Sequence, residues 1–322
     1  MSDRAIDLNR GFDIKLKGTA DPFYLDAPQP KLFALKPTDL HGISPIPKLH
    51  VAVGEEVKAG DPVFFDKPSP RIQYCSPVSG EIVEVRRGAK RAITEVVILA
   101  DSSIDYRTYG KADPSSLSRD AVVERMLESG AWVLMRQRPF NVVPDPDVVP
   151  RDIYISAFDT APLAPNYDFV MAGQEAAFQA GVLALGKLTD GGVHIGVTPT
   201  SADLFRHADG AHVTAFDGPH PAGNVGVHIH HTKPINKGEV VWVMKPQDVA
   251  VLGRLFTEGI FDAQRTVAVT GDEVPPWHER ADAVEGSAAH AGVDDGDRDS
   301  GAGALGPGAL GVDLVEVPLE ER

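Results

Sequence analysis

The hydrophobic rhythm of this chain changes at Asp113-Pro114, and that change limits the fold more than any single motif. Across 37–100, Gly54, Gly60 with Asp61-Pro62, Ser79-Gly80 and Gly88 cut Val- and Ile-rich runs into lengths that suit short strands and leave no room for a helix. Beyond Pro114 apolar residues recur at helical spacing. Ser118 can cap a helix over Arg119–Ser129, with Asp120 at its positive end, Val122, Val123, Met126 and Leu127 on one face, and Gly130 as the stop. Two more helices are expected over 174–188, with Phe178, Val182 and Leu185 in one stripe, and over 248–258, closed by Gly259. Gly181 inside the second costs on the order of 1 kcal/mol relative to Ala. Strands are expected over 153–158, 169–172, Val193–Val197, 212–216, 225–231, 240–244 and 266–270. A small β domain followed by an α/β domain is the expected architecture.

Composition narrows the function. The 322 residues carry 46 acidic against 31 basic side chains, a formal charge of −15, which disfavours a sequence-independent grip on nucleic acid. Cys75 is the only cysteine, so the chain alone builds no disulfide, four-thiolate zinc site or iron–sulfur centre, and a reducing compartment fits. The apolar runs have strand length, short of the roughly 20 residues a membrane helix needs. The opening MSDRAIDLNRGFDIKLKG scatters charge where a signal peptide would carry an apolar block. The last 46 residues, 277–322, hold 16 Gly or Ala and 11 acidic residues against three Arg, a composition that predicts a disordered acidic tail. That tail carries −8, which leaves −7 on the body.

Four segments invite chemical readings. In the β domain, VAVGEEVKAGDPV at 51–63 and SPVSGEIVEV at 76–85 resemble the barrel-sandwich plan of lipoyl and biotinyl carrier domains, with Lys67 near the hairpin where a carrier presents its modified lysine. Pro68 and Pro70 follow at once and the loop is long, which favours an unmodified structural domain. In the α/β domain, which has the order of a Rossmann-like fold, a dinucleotide turn would follow the strand at 153–158. The sequence there, FDTAPLAPNYD, holds Pro162 and Pro165 and no glycine, so it lacks the residues that let backbone N–H groups cradle a pyrophosphate.

The densest chemistry lies in FDGPHPAGNVGVHIHHTKP at 216–234, where His220, His228, His230 and His231 make up four of the 11 histidines. Read as a strand, it puts His228 and His230 on one face and His231 on the other. Two imidazoles there could ligate a divalent metal, could exchange a proton with the oxygen of a quinone or similar carbonyl, or could bond backbone at a domain or subunit contact. The fourth segment is the basic cluster Arg86, Arg87, Lys90 and Arg91 around Gly88. It reads as a solvated turn or as a contact for lipid phosphates or an acidic partner. No Gly-x-Ser-x-Gly elbow and no His-Glu-x-x-His helix is present to organise a hydrolase.

In combination, GFDIKLKG, ALKPTDLHGI, FFDKPSPRIQYCSPVSGEIVEVRRGAKR, LSRDAVVERMLESGAWVLMRQRPF, SAFDTAPLAP and FDGPHPAGNVGVHIHHTKP resemble the A-subunit family of the bacterial sodium-translocating NADH:quinone oxidoreductase. The resemblance implies a peripheral component on the cytoplasmic side of the inner membrane, related in fold to the flavin subunit of respiratory complex I. It implies no cofactor on this chain, NADH, flavins and iron–sulfur centres on the sibling B to F subunits, and ubiquinone as the substrate of the complex. It makes His220, Pro221, Gly223, His228 and His230 candidates for a quinone-proximal or partner-contacting surface, and Arg86, Arg87, Lys90 and Arg91 candidates for partner contact. Family members are longer. The expected division is therefore an N-terminal β domain over 1–110 with a barrel-sandwich core at 37–100, a Rossmann-like domain over 111–265, a β-grasp remnant at 266–276 in a truncated copy, and the tail.

Overall fold

The computed structural model describes residues 4–16, 22–24, 30–40, 43, 46–269 and 312–313. The expected tail, apart from 312–313, and residues 270–276 of the expected β-grasp remnant lie outside the described residues. Strand β1 (Arg4–Asp7) belongs to the later α/β sheet. The β module then follows as β2 (Leu32–Leu35), β3 (Lys48–Leu49), β4 (Glu56–Val57), β5 (Pro62–Phe65), β6 (Gln73–Cys75), β7 (Gly80–Arg87) and β8 (Ile93–Ala100). Two antiparallel sheets, β2-β8-β7-β4 and β3-β5-β6, face each other across Val63, Phe64, Ile82, Ile93, Val96 and Ile98, all essentially dry. The expectation of a helix-free module needs a small correction: single 3₁₀ turns occur at Pro37–Asp39 and Ala89–Arg91.

The α/β body is built from α1 (Arg119–Ser129), β9 (Arg136–Arg138), β10 (Ile153–Ser156), α2 (Tyr167–Val170), α3 (Glu175–Gly186), β11 (Val193–Val197), α4 (Asp203–Arg206), β12 (Ala211–Asp217), α5 (Val225–Thr232), β13 (Val241–Val243) and α6 (Pro246–Thr257). A two-residue strand, β14 (Val312–Asp313), lies antiparallel beside β2. The Ser118 hydroxyl accepts from the Ala121 N–H to cap α1, and Gly130 closes it at φ 79°, as the sequence predicts. The sheet runs β1-β12-β11-β10-β13-β9, parallel except for β9. Its four inner strands have Rossmann order, because the chain steps from β10 outward to β12 and then crosses back to the other side of β10.

Three expected strands are absent. Residues 169–172 are the end of α2 and a turn, 225–231 lie in α5, and the described part of 266–270 forms no strand, its Thr266 backbone bonding the Gln247 side chain instead. Gly181 has a packing reason that outweighs its helical penalty. A Cβ on Gly181 would strike the Val249 carbonyl, and one on Gly253 would strike the Ala177 carbonyl, so α3 and α6 cross at backbone contact through two glycines. Trp132 and Trp242 meet edge to face at 5.4 Å in the core that joins both bodies, and the Trp132 indole N–H donates to Pro144 O at 2.8 Å. Gly253→Val is expected to lower stability by about 2–3 kcal/mol through overpacking of this crossing, read as a lower urea midpoint at unchanged slope.

Candidate functional site

In an open α/β sheet, ligands bind outside the carboxyl ends of the strands where the chain order reverses, here above β10 and β13. The loop after β10 brings no glycine to that crevice, and a second loop, 218–223, lies on top of it. Gly223 rests on the backbone of Asp159 and Thr160, where an added Cβ would approach Thr160 N to 2.6 Å. Its carbonyl accepts from Ser156 Oγ at 2.8 Å and its N–H donates to Thr160 Oγ1 at 3.0 Å. Thr160 Oγ1 also lies within hydrogen-bond distance of His220 Nδ1, at 3.0 Å. The N-terminal segment adds two bonds: Asp13 Oδ1 accepts from the His220 N–H at 2.8 Å, and the Phe12 N–H donates to His220 O at 2.8 Å. Loop 218–223 and the turn after β10 thus pack backbone on backbone at the carboxyl end of the sheet.

His228 holds this loop from below. Helix α5 places it 1% exposed, with its ring stacked on Phe216 at 4.1 Å and Phe158 at 5.4 Å. Nε2 donates to Ala222 O at 2.7 Å, and Nδ1 lies over Gly196, where any Cβ would collide with the imidazole. Burial pushes the His228 pKa down to about 4, so the ring is neutral near pH 7. The strand reading of this segment is overturned: His228 points inward, while His230 and His231 are exposed on α5 with their rings edge to face at 5.0 Å. His220 is half-buried, Pro221 half-buried and Gly223 buried in the covering loop.

Lys67 is exposed in the loop between β5 and β6. The same loop carries Arg71, whose guanidinium reaches Glu124 at 2.7 Å and Asp147 at 2.8 Å in the α/β body, so the segment is tethered rather than presented as a free hairpin tip. In the basic cluster, Arg86 pairs with Glu84 and Glu95, whereas Arg87, Lys90 and Arg91 are exposed at the β7–β8 turn.

A polar network that local sequence does not disclose closes the opposite, amino end of the sheet. Asp152, 2% exposed, meets Arg151 Nε at 2.7 Å, Lys233 Nζ at 3.0 Å and His194 Nε2 at 3.3 Å. Burial alone would raise its pKa, but the bonds from Lys233 and Arg151, together with His194, hold it below the ordinary carboxylate value. Burial likewise depresses His194. Ser156, Thr160 and Asp13 also escaped sequence reading, since each works only through the 218–223 loop far away in the chain. Among the described residues, no group of three or more His, Cys, Asp or Glu is gathered to hold a metal ion, and no helix is long and apolar enough to cross a membrane.

A barrel-sandwich module fused to a Rossmann-like sheet with a self-filled crevice defines the class of protein. Comparison with known families agrees in both parts. The model of the NqrA N-terminal barrel-sandwich hybrid domain matches residues 6–101, and that of the NqrA second alpha/beta domain matches 117–261. The A subunit of the Na(+)-translocating NADH-quinone reductase of Saccharophagus degradans is 36% identical over 281 residues, covering 84% of this chain and 60% of that protein. The protein of the same name from Serratia proteamaculans is 38% identical over 275 residues, again 84% and 60%, and that from Alcanivorax borkumensis is 37% identical over 272 residues, 83% and 60%. The chain belongs to the NqrA family, the A subunits of the Na(+)-translocating NADH-quinone reductase, and spans 60% of the length of these relatives.

The neutral, buried His228 has a pH signature. Its folded pKa lies below the unfolded value of about 6.5, so the unfolded chain binds the extra proton between those values, and stability rises with pH from about 4 to about 6.5. The contribution is of order 3 kcal/mol, fully present above pH 6.5. His228→Phe is expected to flatten that part of the profile, measured as urea midpoints from pH 4 to 7; an unchanged slope would refute the assignment.

Proposed function

We propose that this chain is a peripheral component of a sodium-pumping NADH:ubiquinone oxidoreductase on the cytoplasmic side of the bacterial inner membrane, supporting quinone reduction coupled to Na⁺ export without a redox group of its own. The observation that carries this reading is the crevice above β10, filled by loop 218–223 through Gly223, Thr160 and Ser156. A sheet closed in this way offers no cradle for NADH or flavin, so those groups and the iron–sulfur centres belong to the sibling B to F subunits. The fold is that of the flavin subunit of respiratory complex I with its nucleotide cradle replaced by protein. Domain limits of 1–110, 111–265, 266–276 and 277–322 accompany this reading, with the exception that β1, inside the first of these ranges, is a strand of the α/β sheet.

Within the assembly, the covering loop is the proposed quinone-proximal or partner-contacting surface. His220 is its best-placed imidazole, held through Nδ1 against Thr160 while the residue stays half-buried in the loop. Pro221, with its cis peptide bond, and Gly223 shape the loop, His230 extends the exposed surface along α5, and His228 supports it from within. Arg86, Arg87, Lys90 and Arg91 form a second contact region at the β7–β8 turn. A lipoyl-type arm on Lys67 is disfavoured by the tether through Arg71.

The pure chain is expected to show no saturable flavin or NADH binding by fluorescence titration and no NADH oxidation with a quinone acceptor, while co-purifying with membrane subunits from its host. Tight flavin in the isolated chain, or recovery without any membrane subunit, overturns the reading.

A further inference from the structure

The turn between β7 and β8 carries three cations that no carboxylate among the described residues pairs. Lys90 and Arg91 adopt consecutive left-handed conformations, φ 54° and 63°, although neither is glycine. Two such residues in succession are what a two-residue hairpin turn needs to follow the twist of its strands, and the Ala92 N–H closes the turn on Ala89 O at 3.1 Å, so the tip is held in one shape. Beside it, Arg87, Lys90 and Arg91 are exposed, and among the described residues none of them lies within ion-pair distance of a carboxylate; Arg87 reaches only the Arg91 carbonyl, at 3.4 Å. Arg86, by contrast, is neutralised by Glu84 and Glu95. Neighbouring strands do not accompany the tip. β4 pairs with β7 only at Gly80 and Glu81, and β2 pairs with β8 only from Val96 to Leu99, so the hairpin overhangs both.

We propose that this tip is a docking point for anionic phospholipid headgroups, with Arg87, Lys90 and Arg91 as its ligands. The inference deepens the reading of the chain as a component of the complex's membrane face and rests on it. A lipid surface is favoured over an acidic protein by what the tip lacks. Between the cations stand only Gly88, Ala89 and Ala92, with none of the aromatic or large aliphatic anchors around which protein interfaces concentrate their energy. Unpaired cations are drawn to an anionic leaflet one by one and need no apolar anchor to be so. The hairpin also holds those cations apart from an otherwise acidic protein, and at physiological salt charges interact strongly only within about 8 Å, so the tip and not the net charge governs close approach. Three cations give a weak, salt-sensitive hold on a bilayer, so the test supplies lipid in large excess.

The test is flotation of the full chain with vesicles of phosphatidylcholine alone or mixed with phosphatidylglycerol, at low and high salt. Wild type is expected on anionic vesicles only, with binding lost at high salt. Each cation contributes about fivefold to partition, so R87Q/K90Q/R91Q lowers it about 100-fold. Lys90→Gly provides a variant that cannot be dismissed as misfolded: it is expected to raise the melting temperature by relieving the left-handed backbone while weakening vesicle binding several-fold. Equal binding of wild type and the triple variant, or equal binding to neutral vesicles, overturns the proposal. So does absence of vesicle binding by wild type; co-purification with membrane subunits is read separately, and its retention in that case leaves the chain's place in the complex standing. Tip-dependent co-purification without vesicle binding would assign the surface to a protein partner instead.

Discussion

The contact of Gly223 with the Asp159–Thr160 backbone is the constraint on which the rest of this protein depends. Only a residue without Cβ lets one loop lie directly on another, and once it does, the hydrogen-bonding groups of both must be paired with each other. Ser156 and Thr160 supply partners from below, Asp13 and Phe12 from the amino-terminal segment, and His228 from α5. A pyrophosphate would need those same backbone positions free. The missing glycine after β10 and the glycine present at 223 are thus two halves of one arrangement, in which the loop without glycine receives the backbone of the loop that has one.

The path of the chain was legible where local chemistry and tertiary packing agree. Ser118, Gly130 and the stripe Val122, Val123, Met126, Leu127 specify α1 without help from elsewhere, and all four apolar residues are buried. The segment Val225–Thr232 shows the opposite case. Val225, Val227 and Ile229 alternate with polar residues, which reads as a strand, yet the segment is a helix. A topological signal could have corrected this: β12 and β13 are parallel members of one sheet, and parallel strands require a crossover, usually helical and right-handed. Period alone cannot distinguish the two when β-branched residues sit in a short crossover helix.

The candidate site was only partly legible for the same reason. His220 and His228 were visible as histidines, but their difference arises from partners at positions 13, 160, 196 and 222, none of which a strand register predicts. The spacing His-x-His implied a shared face. The helix instead sends His228 into an aromatic slot between Phe158 and Phe216 and leaves His230 in solvent. Likewise four adjacent cations looked equivalent, whereas strand register puts Arg86 opposite Glu95 and leaves the tip residues without counter-ions among the described residues.

Both ends of the central sheet are closed from within, and this directs where function can reside. At the amino end, the buried Asp152 carboxylate is satisfied by Arg151, Lys233 and His194, a paired charge whose separation would leave a desolvated ion, so that end is fixed structure. At the carboxyl end, the loop cover removes the crevice that normally carries the chemistry of this fold. Among the described residues, the outer side of the covering loop and the rim of the β module stand apart from these two networks. Both are suited to contact rather than to enclosing a substrate. The paired polar atoms at the two ends secure the sheet and the loop that lies on it, so the Asp152 network and the Gly223 contact stabilise one and the same body.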